Sequence, residues 1–135
     1  MLLIEHYTAQ SPIHGIGVFS SANVKFGQKV WSFNSLVDAI ISVAESKKLL
    51  SHTRSRLQHH AEFLAERDAF LITWDGALFM NHSDQPTLVN RDDEMFAAQD
   101  ICPGDELTCD YRQMLVLGFD PETGMPHASA QMPAR

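Results

Sequence analysis

Two short segments of this chain concentrate side chains that could do chemistry. The first is Met80–Ser83, in which Asn81 and His82 are neighbours, and the second is Gly104–Tyr111, which ends in a tyrosine. An asparagine amide donates and accepts hydrogen bonds at once, which suits the recognition of a polar small molecule. The tyrosine offers an apolar ring with a polar tip, which suits a partly apolar site. The two segments together indicate a binding or catalytic site.

Two further patterns precede these segments. The run His14–Phe19 contains Gly15 and Gly17, which lack a Cβ and therefore allow the backbone to approach a ligand closely. The run Phe70–Trp74 is apolar and is followed by Asp75. Each pattern alone also fits an ordinary turn or a buried strand. Only the combination of all four patterns, in this order, indicates a functional site.

The composition fits one globular domain with a single core, since 44% of the 135 residues are hydrophobic. No run of about eighteen apolar residues occurs, so we expect no membrane partner. The first residues lack both a basic leader and a long apolar stretch, so we expect no signal peptide. These features predict an intracellular protein, in the cytoplasm or in a nucleus.

The cysteines and histidines form no recognisable metal motif. Cys102 and Cys109 are too few for a disulfide framework or a four-cysteine zinc site within the chain. His52, His59 and His60 lack partners at the spacing of metal ligands, so we predict no metal site.

The formal net charge of the chain is −7. Sequence-independent binding of nucleic acid needs basic surfaces that displace counterions, so we expect no direct nucleic-acid partner. A basic polypeptide remains compatible with this charge.

Hydrophobic periodicity predicts short strands at both ends of the chain and helices in the middle. A helix start is predicted at Ser35, with Leu36, Val37, Ile40 and Ile41 at helical spacing, and a second helix is predicted from Ser55. An Asp75-Gly76 turn predicts a hairpin between Phe70–Trp74 and Ala77–Met80. Other predicted strands are Leu2–Ile4, Ile16–Phe19, Val30–Phe33, Met95–Ala98 and Glu106–Thr108.

In their order along the chain, the four patterns resemble the signature of the SET-domain protein lysine methyltransferases. His14–Phe19 is similar to the family's Gly-x-Gly-x-Phe element, and Phe70–Asp75 to a strand that borders the lysine channel. Asn81–Ser83 with Pro86 is similar to the family's Asn-His-Ser segment. Gly104–Tyr111 is similar to its Gly-Glu-Glu-Leu-Thr-aromatic-Asp-Tyr segment.

The chain departs from the family pattern at four positions. Phe70 stands where the family often has tyrosine, and Thr87 follows Pro86 where asparagine is usual. Asp105 replaces a glutamate conservatively, and Cys109 replaces an aromatic residue. By resemblance, we expect the smaller Cys109 to widen the channel and favour higher methylation states. We expect Phe70, which lacks a hydroxyl that helps to hold the amine, to weaken activity instead. The two expectations point in different directions.

The resemblance implies an α+β, mainly β fold of the SET-domain, β-clip-like kind, with small curled sheets and a threaded C-terminal segment. It implies a catalytic domain over 1–118, with a helical insert at about 35–68, and a tail over 119–135 that completes or covers the site. The form would be compact, without the family's cysteine-rich flanking modules, and it resembles stand-alone forms that assemble as homodimers.

The resemblance also implies an enzyme that transfers a methyl group from S-adenosylmethionine to lysine in a protein or peptide. It implies Tyr111 at the reacting centre. The cofactor would be held by residues of three segments, namely Gly15, Ile16, Gly17, Val18, Phe19, Asn81, His82 and Phe119. The substrate channel would be lined by Phe70, Trp74, Phe79 and Cys109.

Two alternatives stay open. The first is a SET-like module that binds cofactor or peptide with weak or no catalysis, and its motivating features are Phe70 and Cys109. The second is an unrelated small β-rich interaction domain.

Overall fold

The structure is a computed structural model that describes residues 1–114. Strands dominate these residues, and the helices are short. The elements in chain order are β1 (His6–Gln10), β2 (Ile16–Ser20), β3 (Lys29–Trp31), β4 (Ala39–Ser42), α1 (Val43–Ser46), α2 (Ser51–His60), β5 (Glu62–Leu64), β6 (Ala69–Ile72), a 3-10 helix (Gly76–Phe79), β7 (Asn81–His82), β8 (Leu88–Arg91), β9 (Glu94–Ala97) and β10 (Glu106–Cys109). The predicted mainly β, α+β fold is confirmed.

The chain divides into two compact units. Unit 1 consists of Met1–Val37 and Trp74–Asp110, and unit 2 consists of Asp38–Thr73 and, among the described residues, 111–114. Phe119 and the tail 119–135 lie outside the described residues.

Unit 1 is built from two small sheets. The first has the strand order β1-β2-β10-β7, and the second has the order β3-β9-β8. Strand β10 is antiparallel to β2 and parallel to β7, so the last described strand is inserted between two earlier ones. This order fits the threaded C-terminal segment that the resemblance implied. The largest fully buried aliphatic side chains here are Val18, Val24, Val30, Leu88, Ile101 and Leu107.

Unit 2 contains the third sheet, with the order β4-β6-β5, and both α-helices. Its core consists of Val43, Ala61 and Phe70, against which Phe63 and Ile72 pack. The Phe63 and Phe70 rings are tilted, with centroids 5.3 Å apart. This cluster therefore joins the sheet, through Phe70, to Val43 at the start of α1 and to Ala61 at the end of α2.

The helix predicted from Ser35 is wrong. Ala39–Ser42 forms β4, which pairs antiparallel with β6. Ile40 and Ile41 satisfy helical spacing, but both are β-branched and suit the pleated sheet that β6 supplies. Helix formation starts only at Val43, where the Ser42 hydroxyl accepts a hydrogen bond from the Glu45 N–H. Within 35–68, the insert is thus part sheet, and α2 starts at Ser51 rather than Ser55.

The hairpin predicted at Asp75-Gly76 is also wrong. Gly76–Phe79 forms a 3-10 helix, which Asp75 caps by accepting a hydrogen bond from the Ala77 N–H at 3.0 Å. The other Asp75 carboxylate oxygen accepts the Leu2 N–H at 2.7 Å. Asp75 therefore fixes the N-terminal segment beside the turn, a long-range contact that turn chemistry alone does not reveal.

Candidate functional site

Three of the four sequence patterns meet in the first sheet of unit 1. Strand β2 starts directly after Gly15, and its Val18 pairs with Leu107 of β10. On the other side of β10, Thr108 pairs with Asn81 and Cys109 pairs with His82. Pairing of β10 with both neighbours therefore brings the glycine pair, the Asn-His pair and the C-terminal motif side by side.

The side-chain amide of Asn81 connects these segments. Its Nδ2 group donates to the carbonyl oxygen of His14 at 3.0 Å and to Oε1 of Glu106 at 3.0 Å, with the carbonyl oxygen of Ile16 at 3.5 Å. An amide nitrogen carries two hydrogens, so the two short contacts are the main ones. Asn81 thereby fixes the loop at Gly15 against β7 and β10.

The glycine at 17 has a steric role that differs from that of Gly15. A Cβ added at Gly17 would collide with the Glu106 carboxylate and would lie 3.0 Å from the Ser11 Cβ. Only glycine leaves space for Glu106 to reach Asn81. At Gly15 a Cβ would meet nothing within 4 Å, but φ is +47°, a left-handed conformation that favours glycine.

His82 lies between two carboxylates. Its Nε2 is 3.2 Å from Oδ1 of Asp84, and its Nδ1 is 3.8 Å from Oδ1 of Asp110. The side chain is only 11% exposed. Its neighbour Ser83 donates a backbone hydrogen bond to the Cys109 carbonyl at 3.0 Å. The ring and the backbone of this segment are therefore both held in place.

Thr87 exchanges hydrogen bonds with Thr108, which lies in β10. The Thr87 N–H donates to the Thr108 hydroxyl at 3.0 Å, and the Thr108 N–H donates to the Thr87 hydroxyl at 2.9 Å. The Thr87 hydroxyl also donates to the Glu106 carbonyl at 3.0 Å. The departure from Pro-Asn at Thr87 thus retains a hydrogen-bonding side chain. The sequence shows the departure at Thr87 but does not predict its hydrogen bonds with Thr108. Nor does it predict the hydrogen bond between Glu106 and Asn81.

Comparison with known proteins agrees with the sequence patterns. The family model for the SET domain matches residues 15–112, which is most of the chain. The chain belongs to the SET-domain family. This confirms the resemblance to the family of the lysine methyltransferases. No match was found among curated proteins.

Solved structures share the fold of this SET domain. A Plasmodium falciparum protein assigned as a histone methyltransferase has a TM-score of 0.56 and 18% identity, covering 82% of this chain and 95% of its own. The Neurospora SET-domain protein DIM-5, a histone lysine methyltransferase, has a TM-score of 0.59 and 20% identity, covering 82% and 53%. The Chaetomium thermophilum Polycomb Repressive Complex 2, bound to an inhibitor, has a TM-score of 0.61 and 18% identity, covering 98% and 20%. At these identities the likeness establishes the fold.

The site segments of this SET domain are acidic. The runs 14–19, 81–85 and 104–110 contain four carboxylates and no lysine or arginine; the acidic residues are Asp84, Asp105, Glu106 and Asp110. Of these, Glu106 contacts Asn81, and Asp84 and Asp110 lie on either side of His82, so acceptor groups surround the Asn-His pair. Such a site favours a ligand that carries positive charge.

The predicted channel residues differ widely in exposure. Cys109 is buried, whereas Phe79 and Trp74 are exposed, Trp74 to 83%; all three lie in unit 1. Phe70 is fully buried in the core of unit 2, and the half-buried Tyr111 also belongs to unit 2. A role for these residues in a channel therefore stays a prediction.

Residues 1–114 contain no group of three or more His, Cys, Asp or Glu side chains that could hold a metal ion. Over the same residues, no helix is long and apolar enough to span a membrane.

Proposed function

We propose that this SET domain transfers a methyl group from S-adenosylmethionine to the side-chain amine of lysine in a protein substrate. The observation that carries the proposal is the meeting of the glycine pair, Asn81 and β10 in one sheet. These are the segments through which, by resemblance, the family holds its cofactor. Their acidic character suits a cofactor whose sulfonium and ammonium groups are positively charged.

The cofactor, when bound, supplies a methyl group on a positively charged sulfur. We assign its binding to the backbone of Gly15–Phe19, to Asn81 and to the backbone at His82. The left-handed Gly15 has open space where a Cβ would project, which leaves its backbone approachable. The hydrogen bonds of Asn81 hold this loop before any ligand arrives, so less ordering is needed on binding.

The protein must present the lysine amine in its neutral form. A free lysine has a pKa of about 10.4, so deprotonating it at pH 7 costs about 4–5 kcal/mol. An apolar channel lowers that pKa by desolvation, and a neighbouring positive charge lowers it further. No strong base is then needed, and His82 is not assigned as one. We assign Tyr111 to orient the amine, because holding the reacting atoms in line supplies much of the acceleration.

A binding module with weak or no catalysis is the second candidate. Phe70 favours it, because this residue lacks a hydroxyl and its ring is fully buried in the core of unit 2. A module that binds the cofactor differs from the enzyme only in turnover, so binding and transfer must be measured separately.

The test uses the full chain with labelled S-adenosylmethionine. Calorimetry measures cofactor binding, and incubation with lysine-rich proteins followed by mass spectrometry measures methyl transfer. Tyr111→Phe is expected to reduce transfer at least tenfold while changing cofactor affinity less than twofold. Tyr7→Phe is the matched control, because Tyr7 is the other tyrosine of the chain and is expected to leave both unchanged.

Each outcome decides between the candidates. Unchanged transfer in Tyr111→Phe would refute the role of Tyr111. Cofactor binding without transfer to any lysine would establish the binding module. Failure of the wild type to bind the cofactor would overturn the methyltransferase and leave only a module that binds peptide.

A further inference from the structure

The charge of the chain is distributed unevenly. Residues 47–60 contain four Lys or Arg residues, three histidines and no Asp or Glu. The rest of the chain carries six Lys or Arg residues against all 17 Asp and Glu residues. The net charge of −7 therefore conceals one strongly basic segment.

Helix α2 and the turn before it expose most of this basic segment. The inward positions are 54, 57 and 58, of which Gln58 is buried and the other two are half-buried. This i, i+3, i+4 spacing marks the face packed on the unit. The opposite face carries His52, Arg56, His59 and His60, and Lys47 and Lys48 are exposed in the preceding turn. We call these six residues the basic helix surface.

The groups of the basic helix surface influence each other electrostatically. The pKa of His60 is lowered, first by the partial burial of its ring beside the helix and then by the charges of His59 and Arg56. No carboxylate contributes to this shift. Within the described residues, Arg56 and Lys48 form no ion pair, so their charges remain available to a partner.

We propose that the basic helix surface binds the phosphate backbone of duplex DNA. Lysine, arginine and the exposed hydroxyls of Ser51, Thr53 and Ser55 are the side chains that commonly contact phosphates. Helix α2 has ten residues and is about 15 Å long, which fits the major groove of B-form DNA. The deep, narrow major groove of duplex RNA does not admit a helix in this way.

The chemistry of the helix favours a duplex over the other polyanions. Ser51–His60 contains no aromatic residue, so it lacks the stacking platforms that hold unpaired bases. Its outward positions also lack the apolar anchors by which helices usually bind peptides. An acidic peptide is therefore the weaker candidate.

The negative charge of the remaining chain does not prevent such binding. Exposed charges are screened beyond about 8 Å at physiological ionic strength, so the local charge decides a surface contact. The net charge of −7 predicts no nucleic-acid partner, whereas its distribution along the chain leaves one basic surface for such a partner.

The test measures fluorescence anisotropy of a labelled DNA duplex of about 20 base pairs, titrated with the full chain without S-adenosylmethionine. Three to four phosphate contacts predict a slope of log K against log salt of about −3. The double variant Lys48→Glu, Arg56→Glu is expected to lose at least tenfold in affinity and to reduce the magnitude of that slope by about 2. Circular dichroism and thermal unfolding establish that each variant is folded.

The matched control is the double variant Lys25→Glu, Arg91→Glu, which changes the charge equally at two exposed residues of unit 1. It is expected to change the affinity less than twofold. Equal losses in both double variants would overturn the proposal, because net charge and not the helix would then drive binding. Tighter binding of poly-glutamate or of duplex RNA, or no binding of DNA at low salt, would also overturn it. All these readouts are independent of methyl transfer, so the proposed enzymatic function can fail without affecting them.

Discussion

Gly17→Ala tests whether the steric space at this glycine holds the site segments together. Gly17 lies in β2, and a Cβ there would collide with the carboxylate of Glu106. In an ordinary strand, replacing glycine by alanine is favourable by about 0.5–1 kcal/mol, because alanine loses less backbone entropy on folding. We expect the opposite sign here, since the new methyl group displaces Glu106.

The expected cost follows from the contacts that Glu106 would lose. Its carboxylate accepts the Asn81 amide at 3.0 Å, and hydrogen bonds to charged groups contribute about 1.5–3 kcal/mol. Subtracting the entropic gain leaves a net loss of about 1–2 kcal/mol in the free energy of unfolding. The Ser11 Cβ, 3.0 Å from the new methyl group, adds to this loss.

A double-mutant cycle with Glu106→Ala isolates the cause. Urea unfolding is measured for the wild type, both single variants and the double variant, all as full chains. If the carboxylate is the obstacle, Gly17→Ala should cost less than about 0.5 kcal/mol in the Glu106→Ala background, a coupling of about 1 kcal/mol or more. If Gly17→Ala lowered the free energy of unfolding equally in both backgrounds, the carboxylate would not be the obstacle. The contact with Ser11 or the backbone would then explain the cost.

Three further predictions concern stability. Thr87→Val should lower the free energy of unfolding by about 2–3 kcal/mol, because the Thr108 N–H loses its acceptor in a buried setting. Thr87→Ser keeps the hydroxyl and should retain most of the stability. Urea unfolding measures both variants. Asp75→Asn should cost about 1–2 kcal/mol in the same assay, since two backbone N–H groups donate to separate carboxylate oxygens and an amide offers only one acceptor. The pKa of His60 lies below its ordinary 6.5 in the folded state, so the unfolded chain binds more protons and stability should fall as the pH drops below 6.5. His60→Gln should flatten that part of the pH profile, and an unchanged slope would contradict the assignment.

The candidate site of unit 1 could be predicted from the sequence because its motifs are local. Asn81 and His82 are adjacent in the chain, and the C-terminal motif forms one strand, β10, close to its predicted bounds. What the motifs could not reveal is the partner of each side chain. The Asn81–Glu106 contact joins residues 25 apart, and the exchange between Thr87 and Thr108 spans 21.

The errors in secondary structure have a common physical origin. The sequence of β4 predicts a helix because the spacing of its apolar residues fits the helical period as well as that of a strand. Only pairing with β6 decides between the two. Strand β1, His6–Gln10, is polar and mostly exposed, so its hydrophobic pattern carries no signal, yet it pairs with β2 over its whole length. Conversely, Leu2–Ile4 is apolar but contributes only the isolated bridge between Leu2 and Trp31. Strand formation here depends on a neighbouring strand more than on local propensity.

Phe70 is the position where the motif and the packing make opposite predictions, and Phe70→Tyr separates them. By resemblance, a tyrosine here restores a hydroxyl that helps to hold the amine, so methyl transfer should rise and stability should not change. From the packing, Phe70 is fully buried against Val43 and Ala61, so a new hydroxyl without a partner should cost about 1–3 kcal/mol. We expect the second result, with transfer unimproved, because a fully buried ring in an apolar cluster has no water to hydrate the added group. Urea unfolding and methyl transfer measured on the same preparation distinguish the two. A variant with wild-type stability and faster transfer would assign the ring to the channel and refute the argument from burial.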